Sequence, residues 1–241
     1  MAEASPRRRT AAERPRAAVR RRAVPPAEPP RLRWVAYQRF EEQLAASRIR
    51  PGQFVSQREL AALTDLPLGA IREVIPRLEA EGLLRTVPQR GLQVATVDVR
   101  LIRNAFQLRL MIEKEAAAQF ALGASDAELD ALAAAHHAIV RRAATAITPA
   151  LLRDAQAVDW GLHDAMVDAL GNEIISSLYR VNSLRIRLIR LDRVILDADV
   201  LAPAMQEHLS LIAALRTRDP RLAAAAIEAH IGHARDRALG V

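Results

Sequence analysis

Apolar residues recur at helical spacing from Trp34 onward, and two short strand-like runs interrupt this pattern between residues 83 and 96. After residue 98 no strand-like alternation appears, and helical spacing continues to the end of the chain. The pattern predicts a mainly α-helical protein. A small module over residues 34–97 precedes an all-α antiparallel bundle of six helices over residues 98–241.

The module at residues 34–97 has the outline of a winged helix-turn-helix, an α fold with a small β hairpin. Its first helix ends before the Pro51-Gly52 turn, Ser56 and Glu59 form a capping box that starts the second, and Gly82 ends the third. In order, the predicted elements are a helix from Trp34, a helix after Ser56, a helix over Leu68–Glu81, and strands over Leu83–Val87 and Leu92–Thr96.

Three arginines on this module have the chemistry that contact with DNA requires. Arg72 lies one turn into the third helix, Arg58 lies early in the second, and Arg90 lies at the tip of the hairpin. Each one alone could be an ordinary solvated arginine. Together, on one predicted surface beside a helix-turn-helix, they favour contact with the phosphates and base edges of double-stranded DNA.

Four polar residues stand in the apolar stripes of the bundle. Asp159 and His163 lie four residues apart on one helix face, while His208 and His230 each occupy the middle of a stripe on a later helix. A buried carboxylate must be paired, protonated or bound to a metal. Asp159 could simply accept hydrogen bonds from the histidines, or the carboxylate and the three imidazoles could converge on a divalent cation.

Three further polar residues in the bundle lie at the edge of the apolar stripes or away from them. Arg109 borders the stripe of the first bundle helix, where it could pair with the carboxylate of a bound effector or form an i,i+4 surface pair with Glu113. His136 and His137 lie on a charged, Ala-rich helix, so the pattern predicts both at the surface.

Positive charge is concentrated at the N-terminus. The 241 residues carry a net charge of +7, and residues 1–33 hold ten Arg against three Glu, which is a balance of +7. This Pro-rich segment has almost no large apolar residue, so it cannot bury a core. We expect a disordered Arg/Pro-rich arm that adds nonspecific attraction to a polyanion or merely improves solubility.

Composition limits the class of protein. The apolar content of 51% and the charged content of 26% are ordinary for a globular chain. The absence of Cys excludes disulfides, thiol nucleophiles and Cys-zinc sites. No apolar run approaches the roughly 18 residues of a membrane span, and no secretory signal follows the Arg-rich start. We therefore expect a cytoplasmic protein.

A series of ordered motifs covers most of residues 36–96. They are Ile49-Arg50-Pro51-Gly52, Gln57-Arg58-Glu59-Leu60-Ala61, Ile71-Arg72-Glu73-Val74, Arg77-Leu78-Glu79-Ala80-Glu81-Gly82-Leu83-Leu84 and Gln89-Arg90-Gly91-Leu92-Gln93-Val94. This series resembles the DNA-binding domain of GntR-type bacterial transcription regulators. The resemblance implies that Arg58, Arg72 and the wing residues Arg90 and Gly91 contact operator DNA. Pro67-Leu68 departs from the family, which usually has Ser or Thr followed by Arg there.

A second series of motifs lies between Leu101 and Arg237. It comprises Asp159-x3-His163, Gly171-Asn172, Glu207-His208, Arg218-Asp219-Pro220 and Ala229-His230. This series resembles the effector-binding FCD domain of the FadR-like branch of the same family. The resemblance implies that Asp159, His163, His208 and His230 hold a divalent metal whose open coordination sites accept a small carboxylate effector. Zinc is the first expectation, with nickel, manganese or iron as alternatives.

The sequence thus predicts a ligand-responsive, DNA-binding transcription regulator, a repressor rather than an enzyme. The resemblance implies a homodimer on a palindromic operator. Two other interpretations stay open. The Asp and His set could activate water in a metal-dependent hydrolase, although the sequence offers no clear general base. Alternatively, the arm could coat DNA nonspecifically in an architectural protein whose bundle only dimerises.

Overall fold

The computed structural model describes Met1, residues 32–193 and residues 198–240. The predicted arm, residues 1–33, therefore lies almost wholly outside the described residues. The N-terminal elements are α1 (Leu32–Ala45), β1 (Phe54–Val55), α2 (Gln57–Thr64), α3 (Leu68–Ala80), β2 (Leu84–Val87) and β3 (Gly91–Val94). The helices that follow are α4 (Val99–Gly123), α5 (Asp126–Ala143), α6 (Pro149–Asp168), α7 (Glu173–Arg193), α8 (Ala198–Arg216) and α9 (Pro220–Leu239).

The N-terminal elements form a winged helix-turn-helix, as the sequence predicts. The sheet has the order β1-β3-β2, and both pairs are antiparallel. Val87 pairs with Gly91 at the end of the predicted hairpin, and Phe54 pairs with Gln93 to add β1 on the other side. The sequence pattern misses β1 because a strand of two residues is too short to show alternation.

Local residues explain where the helices of this module begin and end. The Ser56 hydroxyl accepts a hydrogen bond from the Glu59 backbone N–H at 3.1 Å, and the Ser56 N–H donates to the Glu59 carboxylate at 2.6 Å, so the predicted capping box is confirmed. Gly82 follows the C-cap of α3 and has φ +67°, a left-handed conformation that terminates the helix. Pro67 precedes α3 and supplies no side-chain cap.

In the described part of the chain, α4 to α9 form the predicted helical bundle. The long helix α4 packs most extensively against α9, and α5 packs against α8. Side chains from several helices fill the core between them, among them Phe106, Leu162, Met166, Leu211 and Ile227. None of the described helices has both the length and the apolar character needed to cross a bilayer.

Helix α7 contributes to the cores of both modules. Leu184 and Leu188 pack into the core of the winged module, whereas Ile186 and Ile189 pack into the bundle core. The Arg185 guanidinium also donates to a backbone carbonyl at the end of α3, with a distance of 2.7 Å. The predicted division at residues 97 and 98 stays a prediction, since the winged module completes its core with a helix from beyond that boundary.

We expect Leu188→Ala to destabilise the protein by about 2–5 kcal/mol, because it removes a fully buried side chain from the core that α7 shares with the winged module. Urea unfolding measures this change. Leu178→Ala is the matched control on the same helix, since Leu178 is 48% exposed, and should change stability by no more than about 0.5 kcal/mol. Equal effects of the two substitutions would contradict the shared core.

Candidate functional site

Three imidazoles from three helices meet in the interior of the bundle. His163 of α6, His208 of α8 and His230 of α9 are buried, and one nitrogen of each lies within 4.8 Å of the others. The Asp159 carboxylate joins them: its Oδ1 lies 3.6 Å from His163 Nε2 and 3.7 Å from His208 Nε2. The fold therefore brings together the four residues that the stripes single out.

Each of the three imidazoles has its Nδ1 held by a group outside the cluster. His163 Nδ1 lies 2.7 Å from Glu113 Oε2, and His230 Nδ1 lies 2.8 Å from Glu207 Oε2. Because a carboxylate only accepts hydrogen bonds, both Nδ1 atoms carry the proton. In the neutral imidazoles, Nε2 then keeps its lone pair on the side that faces the cluster.

His136 fixes the proton of the third imidazole. Its Nδ1 lies 2.7 Å from the Leu132 carbonyl oxygen, which can only accept, so its Nε2 is an acceptor. That Nε2 lies 3.1 Å from His208 Nδ1, which must therefore donate. Like the other two imidazoles, His208 is left with an Nε2 lone pair facing the cluster.

Burial favours the neutral form of His208 and of His230. It lowers the pKa of His208 well below its usual value, and lowers the pKa of His230 to about 4 although Glu207 opposes the shift. As a result, the Nε2 atoms of His208 and His230 face each other 3.2 Å apart as two acceptors without a proton between them. A cation is the occupant that such facing lone pairs fit. The donor set of three imidazoles and a carboxylate suits a first-row divalent metal, so these residues could hold one.

The surface position predicted for His136 is wrong, because the residue is fully buried. It lies with Leu129 and Ile139 on the buried face of α5. The many alanines and charged residues of that helix obscure this apolar stripe in the sequence. The spacing of Leu129, Leu132, His136 and Ile139 carries the signal that would have identified it. His137 is exposed, as predicted.

The charged pair beside the cluster is also buried. Arg109 is 3% exposed and Glu113 is 0% exposed, and Arg109 Nε donates to Glu113 Oε1 at 2.6 Å. The i,i+4 pair that the sequence suggests therefore exists, but its surface location is wrong: both residues lie in the middle of the buried face of α4. Tyr179 of α7 donates to the same Oε1 at 2.7 Å. Burial would raise the pKa of Glu113, but Arg109 and His163 outweigh it and hold that pKa far below its usual range.

Two guanidinium groups supply the positive charge of the centre. Arg109 Nη2 lies 2.8 Å from His163 Nε2, to which it donates, and Arg190 of α7 is hydrogen-bonded to Asp159 Oδ2. Burial raises the pKa of Asp159, but the Arg190 charge outweighs that effect, and the result is a strongly lowered pKa and an ionised carboxylate. Beside these groups lies a cavity of about 40 Å³, which exceeds the roughly 10–15 Å³ that one water needs.

The residues predicted to contact DNA lie on the winged module. Arg58 and Arg72 are exposed on α2 and α3, and Arg72 Nε donates to Gln57 Oε1 at 3.3 Å. Arg90 lies in the hairpin turn, with its guanidinium carbon 4.0 Å from the centroid of the Phe54 ring. Gly91 adopts φ +94°, and a Cβ there would lie 3.2 Å from the Val55 carbonyl oxygen, so the turn itself requires glycine.

The chain joins a winged helix-turn-helix to a helical bundle with a buried polar centre. This arrangement is typical of DNA-binding transcription regulators that carry their own sensory domain. Comparison with known families agrees. The model for bacterial regulatory proteins of the gntR family matches residues 33–94, and the model for the FCD domain matches residues 104–233. The chain belongs to the GntR family of bacterial transcription regulators, in its FadR-like branch with an FCD domain.

One described relative and two solved structures match most of this chain. The HTH-type transcriptional repressor GlaR of Escherichia coli is 25% identical over 199 residues, which cover 81% of this chain and 90% of GlaR. The structure of Escherichia coli McbR/YncC is 16% identical, with a TM-score of 0.73, and the match covers 84% of this chain and 94% of that one. A GntR regulator from Rhodococcus sp. RHA1 is 19% identical, with a TM-score of 0.71 and coverage of 88% and 98%. The predicted fold class is confirmed.

We expect Glu113→Ala to destabilise the chelator-treated protein by about 3–5 kcal/mol, because Arg109 would stay buried without its carboxylate. Denaturant unfolding provides the measurement. Glu115→Ala, at an exposed position half a turn further along α4, should change stability by at most about 0.5 kcal/mol. If both variants unfold at the same denaturant concentration, the buried carboxylate does not organise the bundle.

Proposed function

We propose that this regulator is a repressor that senses a small organic acid at a divalent metal held by Asp159, His163, His208 and His230. One observation carries the proposal: three buried imidazoles are oriented by outside groups so that their Nε2 lone pairs converge beside a carboxylate. Zinc is the first candidate, and nickel, manganese and iron tolerate the same donors. A bound divalent cation supplies open coordination positions for a carboxylate oxygen of the effector.

The charges of the buried side chains explain why an acid is the expected effector. Glu113 and Asp159 are balanced by Arg109 and Arg190 when nothing is bound. A divalent cation would leave this buried centre with an excess of two positive charges, which is costly in a region of low dielectric constant. An anionic effector removes that excess, so metal and acid stabilise each other.

Arg109 is positioned to bind the effector. It lines the cavity of about 40 Å³, and its contacts with Glu113 and His163 use Nε and Nη2. Its Nη1 makes no hydrogen bond within the described residues and is available to a carboxylate oxygen. Because Arg109 donates to His163 Nε2 in this structure, that hydrogen bond must be exchanged before His163 can act as a ligand.

Helix α7 offers a physical connection from this centre to the DNA-binding module. Arg190 pairs with Asp159 on one side of α7, and Leu184 and Leu188 pack in the winged module on another. A ligand that engages Asp159 alters the partner of Arg190 and thereby favours a different position of α7. We propose that operator affinity changes through this linkage by about 1–3 kcal/mol, a typical coupling free energy.

On the DNA side, we propose that a homodimer in the cytoplasm presents two α3 helices to successive major grooves of a palindromic operator. Arg58, Arg72 and Arg90 would bind phosphates or base edges, and Gly91 would hold the wing turn close to β1. The exposure of the three arginines supports this role. Pro67 supplies no side-chain cap, so the start of α3 offers no hydroxyl to DNA at this position.

Catalysis by the same centre is less well supported than sensing. A hydrolase needs a general base near the bound water. Glu113 is a buried carboxylate that contacts His163 of this centre. Both of its oxygens already accept hydrogen bonds from Arg109, Tyr179 and His163, and its lowered pKa makes it a weak base.

We expect chelator-treated protein to bind zinc, and His136→Phe to weaken that binding by about 10–100-fold. The phenyl ring is a planar group of slightly larger volume, and it lacks the acceptor that holds the His208 Nδ1 proton. Isothermal titration with zinc measures the affinity. His137→Phe, at the exposed neighbouring position, should leave the affinity unchanged. Wild-type protein that binds no zinc would refute the metal site, and equal losses in both variants would refute the role of His136.

The regulator proposal is tested by titrating the protein into labelled DNA from its own upstream region and into scrambled DNA at fixed salt. We expect the protein to bind its upstream DNA more tightly than scrambled DNA. One member of a panel of organic acids should weaken this binding when the protein is loaded with zinc, but not after treatment with a chelator. Arg72→Ala should reduce operator affinity about tenfold or more, corresponding to ~1–3 kcal/mol. Arg221→Ala, whose side chain is 94% exposed at the start of α9, is the matched control.

Equal binding to both DNAs, with a steep salt dependence and no response to any acid, would instead favour the architectural function. If the protein prefers its upstream DNA but its affinity changes with neither zinc nor acids, the DNA-binding role is supported and the proposed sensing role is refuted.

A further inference from the structure

A second, larger cavity lies between the winged module and the bundle. It has a volume of about 490 Å³ and is bounded by the end of α1, by α6 and by α7. We call it the α1–α6 cleft. A neighbouring cavity of about 520 Å³ shares Arg153 and Gln156 with it. Cavities of about 300–1,000 Å³ are the usual size of sites for small molecules.

Small residues keep this cleft open. Gly161 lies inside α6, where glycine stabilises a helix less than alanine does. A Cβ at position 161 would meet no atom within 4 Å, so neither packing nor backbone conformation requires glycine there. Ala45 of α1 and Ala157 of α6 also line the cleft. Larger side chains at these positions would fill the space.

Two arginines, Arg153 and Arg187, and two acids, Glu42 and Asp164, line the cleft, and within the described residues neither arginine is hydrogen-bonded to an acid. Arg187 Nε is buried and has no hydrogen-bond partner in the described part of the chain, although the guanidinium lies 4.7 Å from the Trp160 ring centroid. Arg153 makes no ion pair or hydrogen bond with any described residue. Asp164 is the carboxylate on the α6 wall; burial raises its pKa, and the charge of Arg187 opposes that shift. The other acid, Glu42, already pairs with Arg39 at 2.8 Å.

We propose that the α1–α6 cleft is a binding site for a small carboxylate with a flat apolar body. The carboxylate accepts hydrogen bonds from Arg187 Nε and from Arg153, and the body lies against Trp160 above Gly161. This site is separate from the histidine centre, and its occupation does not depend on a metal. Because its walls come from α1 of the winged module and from α6 and α7 of the bundle, the ligand would hold the two modules in one arrangement.

Trp160 fluorescence tests the proposal directly. The chain has two tryptophans, so Trp34→Phe leaves Trp160 as the sole emitter. Benzoate is the probe, added to chelator-treated protein so that the histidine centre cannot bind it through a metal. We expect a saturable change in emission with benzoate. Inorganic phosphate, which has the charge without the apolar body, and benzyl alcohol, which has the body without the charge, should each bind at least tenfold more weakly.

Two pairs of variants assign any response to the cleft. Gly161→Leu should abolish the benzoate response and leave zinc affinity unchanged, whereas Gly161→Ala should retain it. Arg187→Met should weaken benzoate binding at least tenfold, whereas Arg180→Met, at an exposed position on the same helix, should not. No saturable response to benzoate, an equal response to phosphate or benzyl alcohol, or a response that survives both Gly161→Leu and Arg187→Met would each overturn the proposal.

Discussion

The buried carboxylate of Glu113 organises the bundle and its polar centre. It lies on α4 and accepts hydrogen bonds from Arg109 of the same helix, from His163 of α6 and from Tyr179 of α7. A carboxylate taken out of water is tolerated only when such donors surround it. The three helices must therefore keep one relative position, and that position also fixes which nitrogen of His163 carries the proton. Packing and site chemistry depend on the same group.

The rest of the centre follows a similar logic. Glu207 and His136 hold the Nδ1 protons of His230 and His208 in the way that Glu113 holds that of His163. The orientation of the imidazoles is thus determined by residues that would not touch a metal at all. The positive charge of the centre comes from Arg109 and Arg190. A bound ligand would therefore exchange the hydrogen-bond partners of these arginines, within a site whose imidazoles are already oriented.

The sequence predicts what local patterns determine. Helix caps such as Ser56 are set by neighbours three residues away, and Asp159 and His163 are visible because they interrupt an apolar stripe. Glu113 escapes the same reasoning, and the apolar spacing around His136 is obscured by the alanines and charges of α5. Glu113 stands four residues after Arg109, a spacing typical of a surface pair, and His136 stands beside a solvated histidine. Their burial depends on which side of α4 and α5 meets other helices, and that is decided by tertiary packing.

Helix α7 limits how freely this regulator could be recombined with others. A DNA-binding module that completes its core with Leu184 and Leu188 cannot be moved onto a foreign bundle unless that bundle offers a helix with matching side chains at the same place. A chimera cut at residue 97 would expose those leucines on one fragment and leave a gap in the other. Exchange of operator specificity between such proteins is therefore better achieved by replacing the exposed residues of α2 and α3 than by transplanting the module.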